Sequence, residues 1–243
     1  MELKKSIQQY LEKHGFEALR PKAVLFDMDG VLYDSMPNHV VAWRDSMAQF
    51  GIEMTEHDAY ATEGARGVDT IRQKVKEQQG RDITEEEAQR MYEVKSRLFH
   101  EMAEAPMMPG VKELIAQMKQ CGLTIGVVTG SGQRPLFERV LSDFSDFLDE
   151  QHLVTAYDVK RGKPNPDPYL MGMQKAGTQP WETLVVENAP LGVQAGVAAQ
   201  LFTIAVNTGP LPDRLLAEAG ANLIFPRMTA WRDEWHHFYE SCL

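Results

Sequence analysis

The sequence predicts an α/β protein: a parallel sheet covered by helices, with an all-helical domain inserted between its first and second strands. Three observations lead there. Short, continuous apolar runs recur along the chain, as strands buried on both faces require. From Leu123 onward these runs alternate with helical stretches, the pattern of βαβ units joined by right-handed crossovers. Between the first run and the second lies a long stretch with several helical patterns and no strand-like run. It is too long for one crossover and reads as a second domain.

The elements follow in order. The opening MELKKSIQQYLEKHGFEALRP has no long apolar core, so neither a signal peptide nor a membrane span is expected. Leu3, Ile7, Tyr10 and Leu11 recur at helical spacing, predicting a short amphipathic helix that ends before Pro21 and packs on its own domain. AVLF (23–26) is the first strand. The insert leaves through Asp34–Pro37 and returns through AEAPMMPG (103–110), where Pro37, Pro106 and Pro109 punctuate a two-stranded hinge. Within it, residues 38–50 form one helix, with Val41, Met47 and Phe50 among its apolar positions. Residues 84–104 form another, opened by Thr84 and Glu87 as a capping box and striped by Ala88, Met91, Val94, Leu98 and Met102. YATEGARGVDT, Tyr60 to Thr70, reads as a loop facing the first domain, because Gly64 and Gly67 permit close backbone approach. The expected division is core 1–34, helical cap 35–107 and core 108–243. The later strands are LTIGVV (123–128), LVTA (153–156), TLVV (183–186), FTIAV (202–206) and NLIF (222–225), separated by helices at 133–142, 168–175, 190–199 and 212–218.

Composition narrows the function classes. With 243 residues, 43% hydrophobic and 25% charged, the chain suits a soluble core domain carrying a smaller insert. A net charge of −10 argues against nucleic acid or an anionic membrane as partner. Cys121 and Cys242 form no CxxC pair and no disulfide framework, so a cytoplasmic location is expected, and a monomer.

Ligands of open parallel α/β sheets bind beyond the carboxyl ends of the strands. Four such ends carry polar residues here: Asp27-Met28-Asp29-Gly30, Thr129-Gly130-Ser131-Gly132, Lys163 within RGKPNPDPY, and Glu187-Asn188. Each alone has a bland explanation as a turn, a solvated lysine or a helix cap. Together they suit phosphoryl transfer. Two crowded carboxylates need cationic compensation, and Mg2+ with oxygen ligands supplies it. Asp27 is then the candidate nucleophile, forming an aspartyl-phosphate, and Asp29 the general acid and base. Thr129 and the neighbouring backbone N–H groups of Gly130 and Ser131 would hold phosphoryl oxygens, and Lys163 would neutralise charge. Asn188 offers the metal a carbonyl oxygen, with Glu187 behind it to orient a metal-bound water or Lys163.

The set DMDG, VVTGSG, GKPNPDPY and VVENAPLG resembles the four motifs of the haloacid dehalogenase superfamily of phosphotransferases, over about Lys22 to Phe225. The resemblance implies a Rossmann-like core, a nucleophilic Asp27, an acid/base Asp29 whose carbonyl ligates metal, phosphate-site Thr129 and Lys163, and a metal motif at Glu187-Asn188. One position departs from the branch pattern, Asn188 standing where Asp is usual. The helical insert resembles the small cap of the β-phosphoglucomutase-like branch, which implies roles for His39, Trp43 and Lys95; His39 would gate proton transfer or brace the hinge.

A hexose-phosphate mutase must also anchor the phosphate that is not transferred, with cations in the cap loop. This chain has Glu63 there, and Arg66 displaced from that place. Glu63 would repel a sugar phosphate but could ligate the magnesium of pyrophosphate. In this detail, and in VVENAPLGV and AVNTGPL, the chain resembles a bacterial inorganic pyrophosphatase of the same superfamily, implying metal binding by Asp27, Asp29, Glu63 and Asn188. Pyrophosphate hydrolysis is therefore the expected activity. The alternatives are a sugar-phosphate mutase or phosphatase and, from another class, a non-catalytic binding scaffold. A phospho-receiver module lacks the DxD pair, and a dehalogenase has no use for Asp29 as a proton donor.

Overall fold

The computed structural model describes residues 2–242. Six parallel strands, β1 (Ala23–Phe26), β2 (Thr124–Val128), β3 (Leu153–Val154), β4 (Thr183–Glu187), β5 (Phe202–Val206) and β6 (Leu223–Phe225), form one sheet in the order β3-β2-β1-β4-β5-β6. The chain moves outward from β1 in both directions, so its carboxyl end is the switch point where such sheets open a crevice. Register sets the level of the site: Phe26 pairs with Val127 on one side and Val186 on the other, so Asp27 and Glu187 emerge side by side. β3 stops at Val154, short of the expected Ala156. The cause is local: the N–H and hydroxyl of Thr155 both donate to Asp158 Oδ2 at 2.8 Å, which turns the chain out of the ladder.

Helices cover both faces. α1 (Glu2–His14), α6 (Val111–Gln120), α7 (Arg134–Asp143) and α11 (Met228–Cys242) share the larger apolar cluster, with Trp231, Trp235 and Phe238 fully buried. α8 (Asp167–Ala176) and α9 (Pro190–Ala198) cover the other face around Leu25, Val128 and Tyr169. α10 (Asp213–Glu218) packs near the β6 edge. Tyr10 anchors α1 to its own domain, its hydroxyl donating to the carbonyls of Pro180 and Gln200.

The long insert is helical throughout its elements: α2 (Met36–Ala48), α3 (Glu56–Ala61), α4 (Gly67–Gln79) and α5 (Glu85–His100). They enclose a separate core of Trp43, Met47, Ile52, Ile71, Val75 and Met91. Three local expectations change. Of Tyr60–Thr70 only residues 62–66 are irregular, because a Thr55–Asp58 capping box starts α3 and α4 begins at Gly67. Phe50 is 37% exposed and Val41 half-buried, since α2 turns Trp43, Ser46 and Met47 inward instead. On α5 the buried stripe is Ala88, Met91, Lys95 and Phe99, with Val94 and Leu98 at its margin, and the helix ends at His100, before Met102. Thr84 caps α5 by accepting the Glu87 N–H, but the Glu87 side chain pairs with Arg81 and does not close the box. Among the described residues no helix is long and apolar enough to cross a membrane.

Candidate active site

At the carboxyl end of β1, three ionisable side chains meet out of contact with water. Lys163 Nζ lies 2.5 Å from Asp27 Oδ1 and 2.6 Å from Glu187 Oε1, and donates its third bond to the Val128 carbonyl at 3.2 Å. Tyr169, at the start of α8, donates its hydroxyl to Glu187 Oε1 at 2.7 Å. Glu187 Oε2 accepts the backbone N–H groups of Asn188 and Ala189. Glu187 is thus fully engaged, and α9 makes room for it with Gly192, where a β-carbon would overlap the carboxylate. Burial, with repulsion from Glu187 and Asp29, lifts the Asp27 carboxyl to about 8 against the pull of Lys163. Lys163 is held above its usual value: burial opposes its charge, but Asp27, Glu187 and Glu63 outweigh it.

Three oxygens around this cluster are buried with no hydrogen-bond partner: Asp27 Oδ2, Glu63 Oε2 and Asn188 Oδ1. Carboxylate oxygens of Asp27, Glu63 and Glu187 lie within 4.8 Å of one another. Because Glu187 is satisfied, the side-chain acceptors left for a cation are those of Asp27, Glu63 and Asn188, beside the expected backbone carbonyl of Asp29. An all-oxygen set fits Mg2+ rather than a metal that prefers nitrogen or sulfur. Burial, then the charges of Asp27 and Glu187, push the Glu63 carboxyl well above its ordinary value. A divalent cation among these groups would reverse that penalty and neutralise phosphoryl charge. Gly30 serves the same spot, since its φ of +78° suits glycine and a β-carbon there would strike Asn188.

Asp29 faces the cap. Its Oδ1 accepts the Ser35 hydroxyl at 2.6 Å and His39 Nε2 at 3.1 Å. Ser35 stands at the N-cap of α2 yet makes no capping bond, its hydroxyl being diverted to Asp29. Lys95, 2% exposed, places Nζ 2.7 Å from His39 Nδ1 and over the rings of Phe99, Trp43 and Tyr92. An ammonium only donates, so His39 Nδ1 must accept and Nε2 must carry the hydrogen given to Asp29. Burial and Lys95 lower the His39 pKa despite Asp29. Burial would raise Asp29, but His39, Ser35 and Lys95 bring it down to about 2. Burial also lowers Lys95 to about 8 against Asp29 and Glu63. Asp29 therefore rests as a carboxylate, the form that accepts a proton, and acts as an acid only after taking one up, with His39 Nε2 in reach.

The loop after β2 is ordered from within: the Ser131 N–H donates to Thr129 Oγ1 and the Gln133 N–H to Ser131 Oγ. Thr129, Ser131 and Gln133 are all buried. The cap sits down on three core glycines. A β-carbon on Gly130 would lie 2.6 Å from the Gly64 carbonyl, one on Gly162 2.7 Å from Arg66 Cγ, and one on Gly209 2.7 Å from Tyr60 Cε1. None of the three has a left-handed φ, so space alone demands glycine. A half-open chamber between cap and core has a volume of about 50 Å³ and is bounded by Asp29, His39, Glu63, Lys95, Ser131 and Gln133 among others.

Of the residues named from sequence, Asp27, Lys163, Glu187, Asn188 and Glu63 come together around the cluster, and Asp29, His39 and Lys95 form a chain beside it. Arg66 does not join them. Its guanidinium bonds the Lys160 carbonyl and Glu85 at the seam between cap and core, because Gly162 admits its side chain there. Tyr169, Ser35, Tyr92 and Gln133 went unread. Tyr169 closes the GKPNPDPY stretch that carries Lys163, and Ser35 lies in the hinge before His39; nothing in the local sequence distinguishes Tyr92 or Gln133.

Residues 24–206 match the model of the haloacid dehalogenase-like hydrolases. Hexitol phosphatase A of Escherichia coli is 35% identical over 193 residues, covering 78% of this chain and 84% of its own. The phosphorylated carbohydrates phosphatase of Thermotoga maritima is 30% identical, covering 82% and 92%. A solved Bacteroides vulgatus structure, provisionally assigned as a beta-phosphoglucomutase, superposes with a TM-score of 0.96 at 47% identity over 99% and 98% of the two chains. These names speak of sugar and polyol phosphates, and none of them of pyrophosphate. Motifs, sheet order and relatives agree that the chain belongs to the haloacid dehalogenase-like hydrolase family, among its β-phosphoglucomutase-like members.

Proposed function

We propose that the chain hydrolyses inorganic pyrophosphate in a magnesium-dependent reaction, through an aspartyl-phosphate on Asp27. Asp27 Oδ2, unpaired beside Lys163, attacks phosphorus while the bond to the bridging oxygen breaks. Asp29, in its protonated form, gives that oxygen a proton as phosphate leaves; as carboxylate it then takes a proton from the water that cleaves the acyl phosphate. Lys163, held by Glu187 and Tyr169, stabilises the charge on Asp27 and on the transferred group. Asp27, Asn188, Glu63 and the Asp29 carbonyl would hold magnesium, which would supply the remaining charge neutralisation.

The observation that carries this reading is the position of Glu63, whose buried, unpaired Oε2 faces Asp27 from the cap. A carboxylate there suits a metal-chelated anion and opposes a bare phosphoester. The chamber of about 50 Å³ supports the same reading, being about a third of a cavity that holds one benzene ring. A mutase is disfavoured because Arg66, the nearby cation of the cap loop, is committed to Lys160 and Glu85.

A second reading, hydrolysis of a sugar or polyol phosphate, is the one that the names of the relatives favour. A magnesium-dependent phosphate-release assay across pyrophosphate, hexitol phosphates, hexose phosphates and phosphoglycolate decides between them. Highest kcat/KM on pyrophosphate supports the first reading; highest on a hexitol or hexose phosphate replaces it with the second. No turnover of any of them, with magnesium present, would leave a binding scaffold.

A further inference from the structure

Outside the chamber, between α5 and the core loops after β2 and β3, lies an open cleft of about 700 Å³. Four residues, Gly67, Tyr92, Gly130 and Gln133, border both spaces. Two of them are glycines and contribute no side chain, so the wall consists of Tyr92 from the cap and Gln133 from the core. The two touch directly: Gln133 Nε2 lies 3.4 Å from the Tyr92 hydroxyl. The ring of Tyr92 is fixed from behind by Gly67, where a β-carbon would overlap Cε2. Gln133 is fixed by its N–H bond to Ser131 Oγ.

We propose that Tyr92, supported by Gln133, is a specificity-determining residue: it closes the chamber against the cleft and so limits the size of the leaving group. The volumes make the case. An engineered apolar cavity of about 150 Å³ holds one benzene, so the chamber of about 50 Å³ does not hold a six-carbon chain bearing hydroxyls within it. The cleft beyond Tyr92 has ample room. Because one half of the wall belongs to the cap and the other to the core, it is complete only with the cap seated on the core as here. Removing the ring would join the two spaces and admit a polyol phosphate with its carbon chain in the cleft. The inference rests on the hydrolase reading, but it concerns leaving-group size and is separable from the preference for pyrophosphate.

The test measures kcat/KM for pyrophosphate, glycerol 3-phosphate and sorbitol 6-phosphate at saturating magnesium. The wild type is expected to fall steeply from the three-carbon to the six-carbon ester. Tyr92→Ala should narrow that gap by at least about tenfold, within the range by which a hydrophobic wall discriminates. Tyr92→Phe, which keeps the ring, should leave the gap as it is. Gln133→Ala opens the same wall from the core and guards against a misfolded cap in Tyr92→Ala. Equal use of both esters by the wild type, or an unchanged gap in folded Tyr92→Ala and Gln133→Ala, overturns the proposal. A wild type inactive on pyrophosphate would defeat the pyrophosphate reading alone, since the gap between the two esters is read independently.

Discussion

The carbonyl oxygen of Gly64, in the cap, lies 2.6 Å from the point where a β-carbon on Gly130 of the core would stand. No real β-carbon tolerates that distance, and the obstacle is backbone, so the cap would have to lift. Gly130→Ala should therefore fold normally, because its φ is one that alanine adopts; any change in stability should be a gain of about 0.4–1 kcal/mol. Activity should fall by about 10–100-fold, equivalent to about 1.4–2.7 kcal/mol against the closed form. Thermal unfolding beside kcat/KM checks both halves. Unchanged activity would mean that the cap need not seat on this loop.

Lys95→Met should separate catalysis from stability. Methionine fills the space among Trp43, Tyr92 and Phe99 without a buried charge, and such replacements are often neutral or stabilising. The His39 tautomer, however, loses the donor that makes Nδ1 an acceptor, so the bond from Nε2 to Asp29 is no longer enforced. kcat should drop by about 10–100-fold, within the range of lost acid–base catalysis, while Tm stays or rises. Lys95 sits at about 8, so wild-type activity should decline as pH rises through that value, and the variant should lose this limb. A variant with full kcat would reduce Lys95 to packing.

Asn188→Ala removes one of three unpaired oxygens around Asp27. The magnesium concentration that half-activates the enzyme should rise by about tenfold or more, with less effect at saturating metal because Lys163 and Thr129 remain. A titration of rate against magnesium decides it, and an unchanged midpoint would take Asn188 out of the ligand set.

A fourth prediction concerns the cap alone. Burial would raise Asp58, but its bonds to Lys74 and Thr55 hold it at about 2. Its folded value lies below its unfolded one, so the stabilisation is full above about pH 4 and disappears as pH falls through about 2. Asp58→Asn should cost about 1–2 kcal/mol at neutral pH, allowing for solvent screening, and should flatten stability between those pH values. Urea unfolding at several pH values measures it. A variant with wild-type pH dependence would refute the assignment.

The sheet was legible because its strands are buried on both faces: AVLF, TLVVE and FTIAV carry no solvent-facing position to interrupt the apolar run. The chemistry at their ends was legible because like charges at a strand terminus need a partner. α11 was not read, although Trp231, Trp235 and Phe238 stand at helical spacing, because charged and polar residues crowd between them. Lys95 illustrates a different limit. Its burial depends on rings from α2 and α5 and on His39, which meet only in the folded cap. The diversion of Arg66 to Lys160 is likewise a property of the closed seam, invisible to local spacing.

The central claim is that Glu63 reaches across the closed cap to a metal that pyrophosphate brings or shares. Removing one charge-assisted interaction from the transition state costs about 1.5–3 kcal/mol, or about one to two powers of ten in rate. The most direct measurement is kcat/KM of the wild type and of Glu63→Ala, on pyrophosphate and on sorbitol 6-phosphate, at saturating magnesium. The wild type should prefer pyrophosphate, and the variant should fall by at least about tenfold on pyrophosphate and by less on the ester. A wild type that prefers the ester, or a variant that falls equally on both, would contradict the account.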